Sequence, residues 1–277
     1  MIKAIEVQKK FGKKVIFEGI SLEMGTGVYG FLGPNGAGKT TFLRCMLGIL
    51  PTSSGSFEYN GVPTGRKNSI AAHVGYLPQK FGVYGDLRVC EAMEYLASVH
   101  RLKIRDIDAE IDRCLALVNL ADRTRSKVKA LSGGMVRRLG IAQALLGDPD
   151  ILVFDEPTAG LDPEERMRFK AIVEQVSPGK TVLLSTHILA DVDAICDQII
   201  IINKGHTVYT GPTADIASLA RGKVFETQVM PQGGTVVGIR EEAGQKWYRV
   251  VSETVPDGSI AQEPTTEDGY LCAIHLS

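Results

Sequence analysis

Long hydrophobic runs and an excess of charge are both missing from this 277-residue sequence. No apolar stretch reaches the roughly 18 residues that a membrane-spanning helix needs, and residues 1–6 contain no apolar signal core. The formal net charge is −1, so no basic field favours nucleic acid or an anionic membrane surface as a partner. The five cysteines are scattered without metal-site spacing, which suits buried thiols in a reducing cytosol. These absences predict a cytoplasmic protein that would serve a membrane only through a partner.

The composition that remains is that of an ordinary globular protein, with 44% hydrophobic and 23% charged residues. Short apolar runs alternate with longer amphipathic segments, which predicts an α/β fold. Five of the runs indicate buried strands: Val28–Leu32, Val74–Leu77, Ile151–Phe154, Thr181–Ser185 and Gln198–Ile202. Because ligands bind at the carboxyl ends of strands in an open parallel sheet, we expect the chemistry to lie along one edge.

Residues 88–146 follow a different pattern, in which apolar positions recur at helical spacing without intervening strands. The helices predicted there are Val89–Val99, Ile107–Val118 and Met135–Leu146. We therefore expect a helical subdomain at about residues 85–146, inserted between two strand-rich stretches.

The pattern changes again after about residue 222. Short strands are predicted over Val224–Met230, Thr235–Arg240 and Trp247–Ser252, followed by a closing helix near Thr266–His275. The sequence thus predicts one large domain over residues 1–222 and a small β-rich accessory region over residues 223–277.

A glycine-rich loop follows one predicted strand and opens a predicted helix. Its residues are Gly33, Pro34, Asn35, Gly36, Ala37, Gly38, Lys39 and Thr40. Glycines let successive N–H groups form a nest for phosphates, and the helix N-terminus adds partial positive charge. Lys39 could reach the β- and γ-phosphates, Thr40 could ligate Mg²⁺, and Thr41 would lie near the α-phosphate. A flexible turn is the simpler alternative, and the loop alone does not distinguish GTPases, kinases and transport ATPases.

Two adjacent carboxylates, Asp155 and Glu156, follow the apolar run Ile151–Phe154. Carboxylates at the end of a buried strand are costly unless a cation lies beside them, and a magnesium ion bound to phosphates supplies that cation. Asp155 should contact the ion directly or through water. The next side chain of a strand points to the other side, so Glu156 could orient the attacking water. A solvated acidic turn is the alternative.

A serine followed by two glycines precedes the third predicted helix, in the segment Leu131–Met135. Ser132 is a good N-cap, and a purely structural interpretation stops there. Gly133 and Gly134 are poor helix formers, however, and their presence makes sense if the backbone approaches a bulky ligand closely. The helix N-terminus would then present N–H groups to a phosphate.

Taken together, these motifs make the sequence resemble the ABC ATPase family over about residues 1–215. Ser132, Gly133 and Gly134 resemble the ABC signature, the glycine-rich loop its Walker A motif and Ile151–Glu156 its Walker B strand. The run from Asp155 to Asp162 is similar to the family's Walker B to D-loop segment. Tyr76–Gln79 fits the Q-loop, and Ser185–His187 fits the switch histidine. These motifs occur in the family's order.

The resemblance implies the fold and the cofactors. The expected fold is a P-loop NTPase cassette of the α/β class, with a mixed sheet core, a helical subdomain, an antiparallel N-terminal β part and the small C-terminal appendage. ATP and Mg²⁺ are the implied cofactors, with Thr40, Gln79 and Asp155 as the magnesium-site residues. Glu156, His187, Gln79 and Lys39 are the implied catalytic residues.

Several implied roles have simpler alternatives. Phe11 matches the aromatic that stacks on adenine, although it could be a core aromatic. Gln79 could be a surface glutamine, and His187 could be structural. Asp162 precedes Pro163 and reads equally as a helix N-cap and as a contact between two cassettes.

The resemblance also implies partners. Two ATPase subunits, identical or paralogous, would pack head to tail, with each ATP between the loop of one and Ser132–Gly134 of the other. A separate transmembrane permease would bind the helical subdomain, and Val83–Leu87 is the expected docking surface. The chain would then lie peripherally on the cytoplasmic face of the membrane. No nucleic-acid partner is expected.

The motif Ser-Gly-Gly-Met, continued by Arg137–Leu145, resembles the exporter ATPases associated with drug, antibiotic, lipid or ion efflux. Glu263–Asp268 resembles a tail recurring in that subgroup, although Gly269 weakens the prediction of a closing helix there. Importer ATPases for sugars carry a regulatory β-domain longer than the accessory region over residues 223–277, so we expect this chain to energise export. The main alternative is a soluble ABC ATPase of translation or DNA repair.

Overall fold

A computed structural model describes residues 1–65, 70–99, 105–231, 233–242 and 244–275. The strands within these ranges are β1 (Ile2–Phe11), β2 (Lys14–Met24), β3 (Gly27–Leu32), β4 (Ser54–Tyr59), β5 (Val62–Pro63), β6 (Val74–Leu77), β7 (Ile151–Asp155), β8 (Thr181–Thr186), β9 (Gln198–Asn203), β10 (His206–Pro212), β11 (Val224–Thr227), β12 (Thr235–Glu242), β13 (Gln245–Val251) and β14 (Ile260–Ala261). The α-helices are α1 (Lys39–Met46), α2 (Val89–Val99), α3 (Ile107–Leu117), α4 (Gly133–Ala144), α5 (Pro163–Val176), α6 (Leu189–Ile195) and α7 (Thr266–His275).

The central sheet has the strand order β10-β9-β3-β8-β7-β6. Its strands run parallel except β10, which is antiparallel to β9 at the edge. All five predicted strands are confirmed to within one residue at either end. Every residue of β7 and β8 is buried, as expected where helices cover both faces of a parallel sheet. The mixed sheet of the predicted cassette is therefore present.

A second, antiparallel sheet of order β2-β1-β4-β5 forms the N-terminal part. Helix α1 packs against it through Phe42, a fully buried side chain. The Phe42 ring contacts Phe31 in the central sheet at 5.0 Å between centroids, and Phe17 and Phe57 in the antiparallel sheet at 5.6 and 5.4 Å. Aromatic packing between the two sheets thus anchors the helix that carries the end of the glycine-rich loop.

Helices α2, α3 and α4 lie between β6 and β7, where the helical pattern predicts them. Helix α2 has the predicted ends, and α3 ends at Leu117 with Val118 as its C-cap. Residues 100–104 of the predicted subdomain lie outside the described ranges. Apolar residues from all three helices share one buried cluster with the central sheet.

The predicted ends of the third helix, Met135–Leu146, are wrong. The helix begins two residues earlier and ends two residues earlier, at Gly133 and Ala144. Ser132 Oγ accepts a hydrogen bond from the backbone N–H of Met135 at 3.2 Å, so both glycines belong to the first turn. The helix stops early because the chain turns away at Gly147, whose φ is 74°.

The C-terminal strands form a separate antiparallel sheet of order β12-β13-β11-β14. Strand β11 ends at Thr227 rather than at the predicted Met230. Strand β12 extends past Arg240 to Glu242, and β13 covers Gln245–Val251 rather than Trp247–Ser252.

Helix α7 joins the C-terminal sheet to the rest of the chain. Arg249 in β13 donates to both carboxylate oxygens of Asp268, a side chain that is 1% exposed. At its other end, the Ile274 carbonyl accepts from Asn203 Nδ2 at 2.8 Å. Ala273 belongs to the same buried cluster as the central sheet. The C-terminal region is therefore packed onto the cassette by its last helix, and the division at residue 222 stays a prediction.

Gly269 explains how α7 fits. A Cβ at this position would lie 2.0 Å from the carbonyl oxygen of Ile216, in the 3-10 helix Thr213–Ala220. The residue that weakens the helix prediction thus permits close approach of two backbones.

Replacing this glycine should loosen the C-terminal region. We expect Gly269→Ala to lower the free energy of unfolding by about 1–3 kcal/mol, because the methyl group forces α7 away from its support. Thermal unfolding measures the change. Gly238→Ala in β12 is the matched control, since a Cβ there would make only an ordinary 3.7 Å contact. Equal melting temperatures for the two variants would contradict this explanation.

The five cysteines are free thiols, and all but Cys90 are buried. Burial raises the pKa of the Cys114 thiol to about 12, so it stays protonated at neutral pH. In the described ranges, no helix combines the length and apolarity that a bilayer crossing requires.

Candidate functional site

The glycine-rich loop connects β3 to α1 at the carboxyl edge of the central sheet. A Cβ at Gly33 would lie 2.2 Å from the carbonyl oxygen of Ile202 in β9, so no side chain fits there. Gly36 and Gly38 have φ values of 84° and 103°, which strain any residue that has a Cβ. All three glycines of the loop are therefore required, Gly33 by close packing and Gly36 and Gly38 by their positive φ, and the loop can turn tightly enough to surround an anion.

Lys39 begins α1 and carries a buried ammonium group. Its side chain is 6% exposed, and Nζ donates to the Gly33 carbonyl at 2.7 Å and lies 3.7 Å from Glu156 Oε1. Burial lowers the pKa of Lys39, while the charges of Glu156 and Asp155 oppose that shift. An ammonium group held this way is well placed to bind anionic oxygens such as those of a phosphate.

Asp155 ends β7 as a fully buried carboxylate. Its Oδ1 accepts hydrogen bonds from Thr40 Oγ1 at 3.0 Å and from Ser185 Oγ at 2.5 Å. Its Oδ2 is buried and has no hydrogen-bond partner among the residues that the structure describes. A buried anionic oxygen without a donor is costly, so this atom fits a cation bound beside the loop. Ser185 is a site residue for which the sequence indicated no role of its own; its signal is its position just before Thr186 and His187.

The donor set suits magnesium. Thr40 and Asp155 supply hard oxygen atoms, which Mg²⁺ prefers. Within the described part of the chain, no group of three or more His, Cys, Asp or Glu side chains could hold a metal ion. Mg²⁺ commonly takes one or two protein oxygens and completes its shell with phosphates and water, and the residues present fit that pattern.

Glu156 joins three predicted catalytic residues into one cluster. Its carboxylate is 5% exposed, with Oε2 2.9 Å from His187 Nδ1 and Oε1 3.7 Å from Lys39 Nζ. The His187 side chain is 41% exposed, so the cluster is open to solvent on the histidine side.

The predicted direction of the Glu156 side chain rested on a wrong backbone conformation. The prediction assumed the side-chain alternation of an extended strand, but β7 ends at Asp155 and Glu156 has a φ of 51°. This left-handed conformation is strained for a residue with a side chain. The two adjacent carboxylates point in different directions because of this tight turn, and not because of strand alternation.

Ser132, Gly133 and Gly134 stand apart from this cluster. Ser132 and Gly133 are exposed, and a Cβ at Gly133 would meet no atom within 4 Å. Among the described residues, no hydrogen bond joins these three to the loop Gly33–Thr40. The structure therefore leaves Ser132 and Gly133 exposed at a helix N-terminus that takes no part in its own chain's cluster, while the Glu165 side chain lies beside Gly134.

Phe11 lies at the end of β1 and is 49% exposed. Lys9 Nζ lies 4.7 Å from the centroid of its ring and also donates to the Pro51 carbonyl at 2.6 Å. Lys9 is 6% exposed, so the cation is held firmly against the ring. A half-exposed, supported aromatic ring contradicts the core-aromatic alternative and could stack on a flat ligand.

The remaining predicted site residues lie at the margins. Gln79 follows β6 with an exposed side chain, and its backbone carbonyl accepts from Arg137 at 3.0 Å. Asp162 caps α5, because its Oδ1 accepts from the backbone N–H of Glu165 at 2.8 Å. The cap role of Asp162 is thus observed in a single chain.

The segment Val83–Leu87, predicted as a docking surface, presents Tyr84, which is 70% exposed. Its ring makes an edge contact with Tyr95 of α2 at 6.0 Å between centroids, and Tyr95 is 47% exposed. Exposed aromatic pairs of this kind commonly mark protein interfaces.

Comparison with known proteins places this geometry in a family. The family model described as ABC transporter matches residues 17–159. The linearmycin resistance ATP-binding protein LnrL of Bacillus subtilis is 34% identical over 225 residues, covering 80% of this chain and 72% of that protein. The Nod factor export ATP-binding protein I of Cupriavidus metallidurans is 33% identical over 260 residues, covering 90% and 86% respectively.

Solved structures agree on the fold. The ABC transporter protein cbiO1 from Clostridium perfringens superposes with a TM-score of 0.68 at 25% identity, covering 76% of this chain and 88% of its own. A dimeric bacterial ABC transporter cassette also gives a TM-score of 0.68, at 23% identity, covering 76% of this chain and 98% of its own. The resemblance to exporter-type ABC ATPases is confirmed, and the alternative of translation or repair is not favoured. This chain belongs to the ABC transporter family, as one of its ATP-binding and ATP-hydrolysing subunits.

Proposed function

We propose that this subunit energises export by a separate transmembrane permease, with the residues of the buried cluster hydrolysing ATP. The observation that carries the proposal is the cluster itself. Glu156 is held between Lys39 and His187, and beside it Asp155 presents an unpartnered carboxylate oxygen. Such an arrangement supplies both the charge that binds a nucleoside triphosphate and the base that activates water.

ATP binding uses the loop and the ring. The N–H groups of Gly33–Thr40 surround the phosphates, and Lys39 exchanges its present oxygen partners for phosphate oxygens. Thr41 contacts the α-phosphate, and Phe11 stacks on adenine. Thr40 and Asp155 hold Mg²⁺, with Gln79 at the edge of its shell. When bound, this ion neutralises charge on the phosphates.

Hydrolysis uses Glu156 as the residue that orients and polarises the attacking water. His187, now hydrogen-bonded to Glu156 across 2.9 Å, contacts the γ-phosphate and keeps the carboxylate in place. Binding of ATP also removes Lys39 from its 3.7 Å contact with Glu156, so the carboxylate becomes free to accept a proton.

The site is completed by a second ATPase subunit. The exposed residues Ser132 and Gly133 at the N-terminus of α4 support this step, because they can meet a phosphate that their own chain does not supply. Packed head to tail, each subunit contributes the loop to one site and Ser132–Gly134 to the other. Asp162, besides capping α5, lies at the contact between the two subunits. Because ATP binds the closed pair preferentially, it shifts the population toward closure.

Export is supported by the relatives, which include a Nod factor export ATP-binding protein and a linearmycin resistance ATP-binding protein. The exposed pair Tyr84 and Tyr95 is the surface that meets the permease. ATP-driven closure would reach that surface through the helices between β6 and β7. In this arrangement the subunit is peripheral on the cytoplasmic face of the membrane.

Binding to the permease is the test. We expect the wild-type chain to co-purify from solubilised membranes with a polypeptide that mass spectrometry identifies as a multi-spanning membrane protein. Tyr84→Glu should reduce this recovery about tenfold, because it places a charge in an apolar contact, while nucleotide binding persists. Ile239→Glu, at a residue 64% exposed on the C-terminal sheet, is the matched control. Equal recovery of the permease with both variants would exclude Tyr84 from the interface.

A further inference from the structure

One arginine that the sequence did not predict as a site residue contacts two segments of the site, the one that carries Gln79 and the one that carries Glu156. Arg137 lies in α4, and its guanidinium uses all five of its N–H groups as hydrogen-bond donors. Four of these bonds span 2.9 to 3.1 Å. The acceptors are the backbone carbonyl oxygens of Pro78, Gln79, Asp155, Glu156 and Pro157.

The five carbonyls come from two segments that are far apart in the sequence. Pro78 and Gln79 follow β6, and the other three follow or end β7. A planar guanidinium with donors in a fixed fork can hold such a set only if both segments keep one relative position. The carbonyl of Gln79 and the turn that carries the catalytic carboxylates are thus fastened to the same side chain.

Arg137 forms no ion pair with any described residue, so its role is not that of a structural salt bridge. Its neighbour Arg138 differs, since it donates to the carbonyls of Val118 and Asn119 and lies 3.2 Å from Glu165 Oε2. Burial lowers the pKa of Arg137, opposed by the charges of Asp155 and Glu156. The site therefore contains a partly buried cation directed at the backbone of the catalytic turn.

The backbone of Glu156 is held from both sides. Its N–H donates to the Ser185 carbonyl at 2.9 Å, and its own carbonyl accepts from Arg137. This residue has the strained φ of 51°. Strain of this kind persists only where neighbouring groups determine the conformation, and here Ser185 and Arg137 are the groups that do so.

We propose that Arg137 is a positioning residue for ATP hydrolysis, which locks the catalytic turn and the Gln79 loop into one unit with α4. This inference rests on the proposed roles of Glu156 and Gln79. Because α4 begins at Ser132–Gly134, movement of that helix on contact with a second subunit is transmitted to the Glu156 backbone through one side chain. Arg137 acts on hydrolysis and not on nucleotide binding, since the loop Gly33–Thr40 is not among its partners.

The test separates turnover from binding. In Arg137→Lys the charge remains but the fork of donors is lost, so we expect kcat to fall about 100-fold, the effect of a small misplacement of a catalytic group. The KM for ATP and the affinity for a fluorescent ATP analogue should change by less than about threefold. Arg137→Met, which keeps the stem and removes every donor, should lower kcat at least as much.

Arg138→Lys is the control, because it changes the next residue of the same helix, which is the more buried of the two, and its carbonyl partners lie outside the site. We expect it to lower the melting temperature as much as Arg137→Lys does while kcat stays within about threefold of wild type. If the wild-type chain hydrolyses ATP but Arg137→Lys leaves kcat unchanged, the role of Arg137 is overturned. An equal fall in kcat for Arg137→Lys and Arg138→Lys overturns it as well. A failure of the proposed function itself would give a different result, because the wild-type chain would then show no ATP hydrolysis that depends on Glu156.

Discussion

Glu156→Gln is expected to lower the rate of ATP hydrolysis by about 10²- to 10⁴-fold, the usual contribution of a positioned general base. The amide keeps the shape of the side chain but accepts a proton poorly. ATP affinity should stay equal or rise, because the substitution removes the negative charge that lies 3.7 Å from Lys39 Nζ and competes with phosphate for the ammonium. Steady-state phosphate release and equilibrium binding of a fluorescent ATP analogue measure the two effects.

The same variant should form a long-lived closed pair of subunits with MgATP, visible as a dimer in size-exclusion chromatography. Glu174→Gln in α5 is the matched control, since that carboxylate is 63% exposed and pairs, among the described residues, only with Lys170 on the same helix. Its rate should equal the wild-type rate. Turnover by Glu156→Gln at a rate near that of the control would rule out Glu156 as the group that activates water.

Ser132→Arg is expected to abolish turnover as a homodimer, because the long cation fills the space that a phosphate of the opposite subunit needs. Nucleotide binding to the loop Gly33–Thr40 of the same chain should persist. Ser132 is exposed, so the change costs only the helix cap, about 1 kcal/mol. Asp106→Arg removes the analogous cap of α3, where Asp106 accepts from the N–H of Ala109. That control should be equally stable and fully active.

A mixed dimer shows which subunit the α4 N-terminus serves. We combine Ser132→Arg on one subunit with Lys39→Ala on the other. Packed head to tail, both defects fall in one site and the second site is intact, so one nucleotide should be trapped and hydrolysed per mixed dimer. If each subunit instead used its own Ser132, both sites would carry one defect. Loss of hydrolysis at both sites of the mixed dimer would therefore rule out the head-to-tail arrangement.

The accuracy of the sequence predictions varies with how local the determining contacts are. The buried strands are correct to within one residue, because continuous apolar runs bounded by turns leave few alternatives. The helix that begins after Ser132 is misplaced by two residues, because helix propensity argues against Gly133 and Gly134 while the cap bond from Met135 to Ser132 places them in the first turn. Tertiary and capping contacts outweigh propensity there.

The site shows the same division. The sequence predicts site roles for the loop, the carboxylates and the histidine, since each lies in a short motif whose residue types indicate its chemistry. Arg137 carries no comparable signal, because its five acceptors are backbone carbonyls and any residue could supply them. The turn at Glu156 is equally hidden, since nothing in the residue type indicates a positive φ.

The sequence by itself determines the α/β class and the order of the motifs, and it predicts that ATP binds at the carboxyl edge of the sheet. These features follow from apolar periodicity and from short motifs whose residues are adjacent in the sequence. Only the tertiary structure decides that Lys39 and His187 meet on Glu156, that Arg137 joins the two loops, and that Gly269 seats α7 against Ile216. The physical reason is that these contacts join segments far apart along the chain, whose approach depends on the packing of the whole sheet.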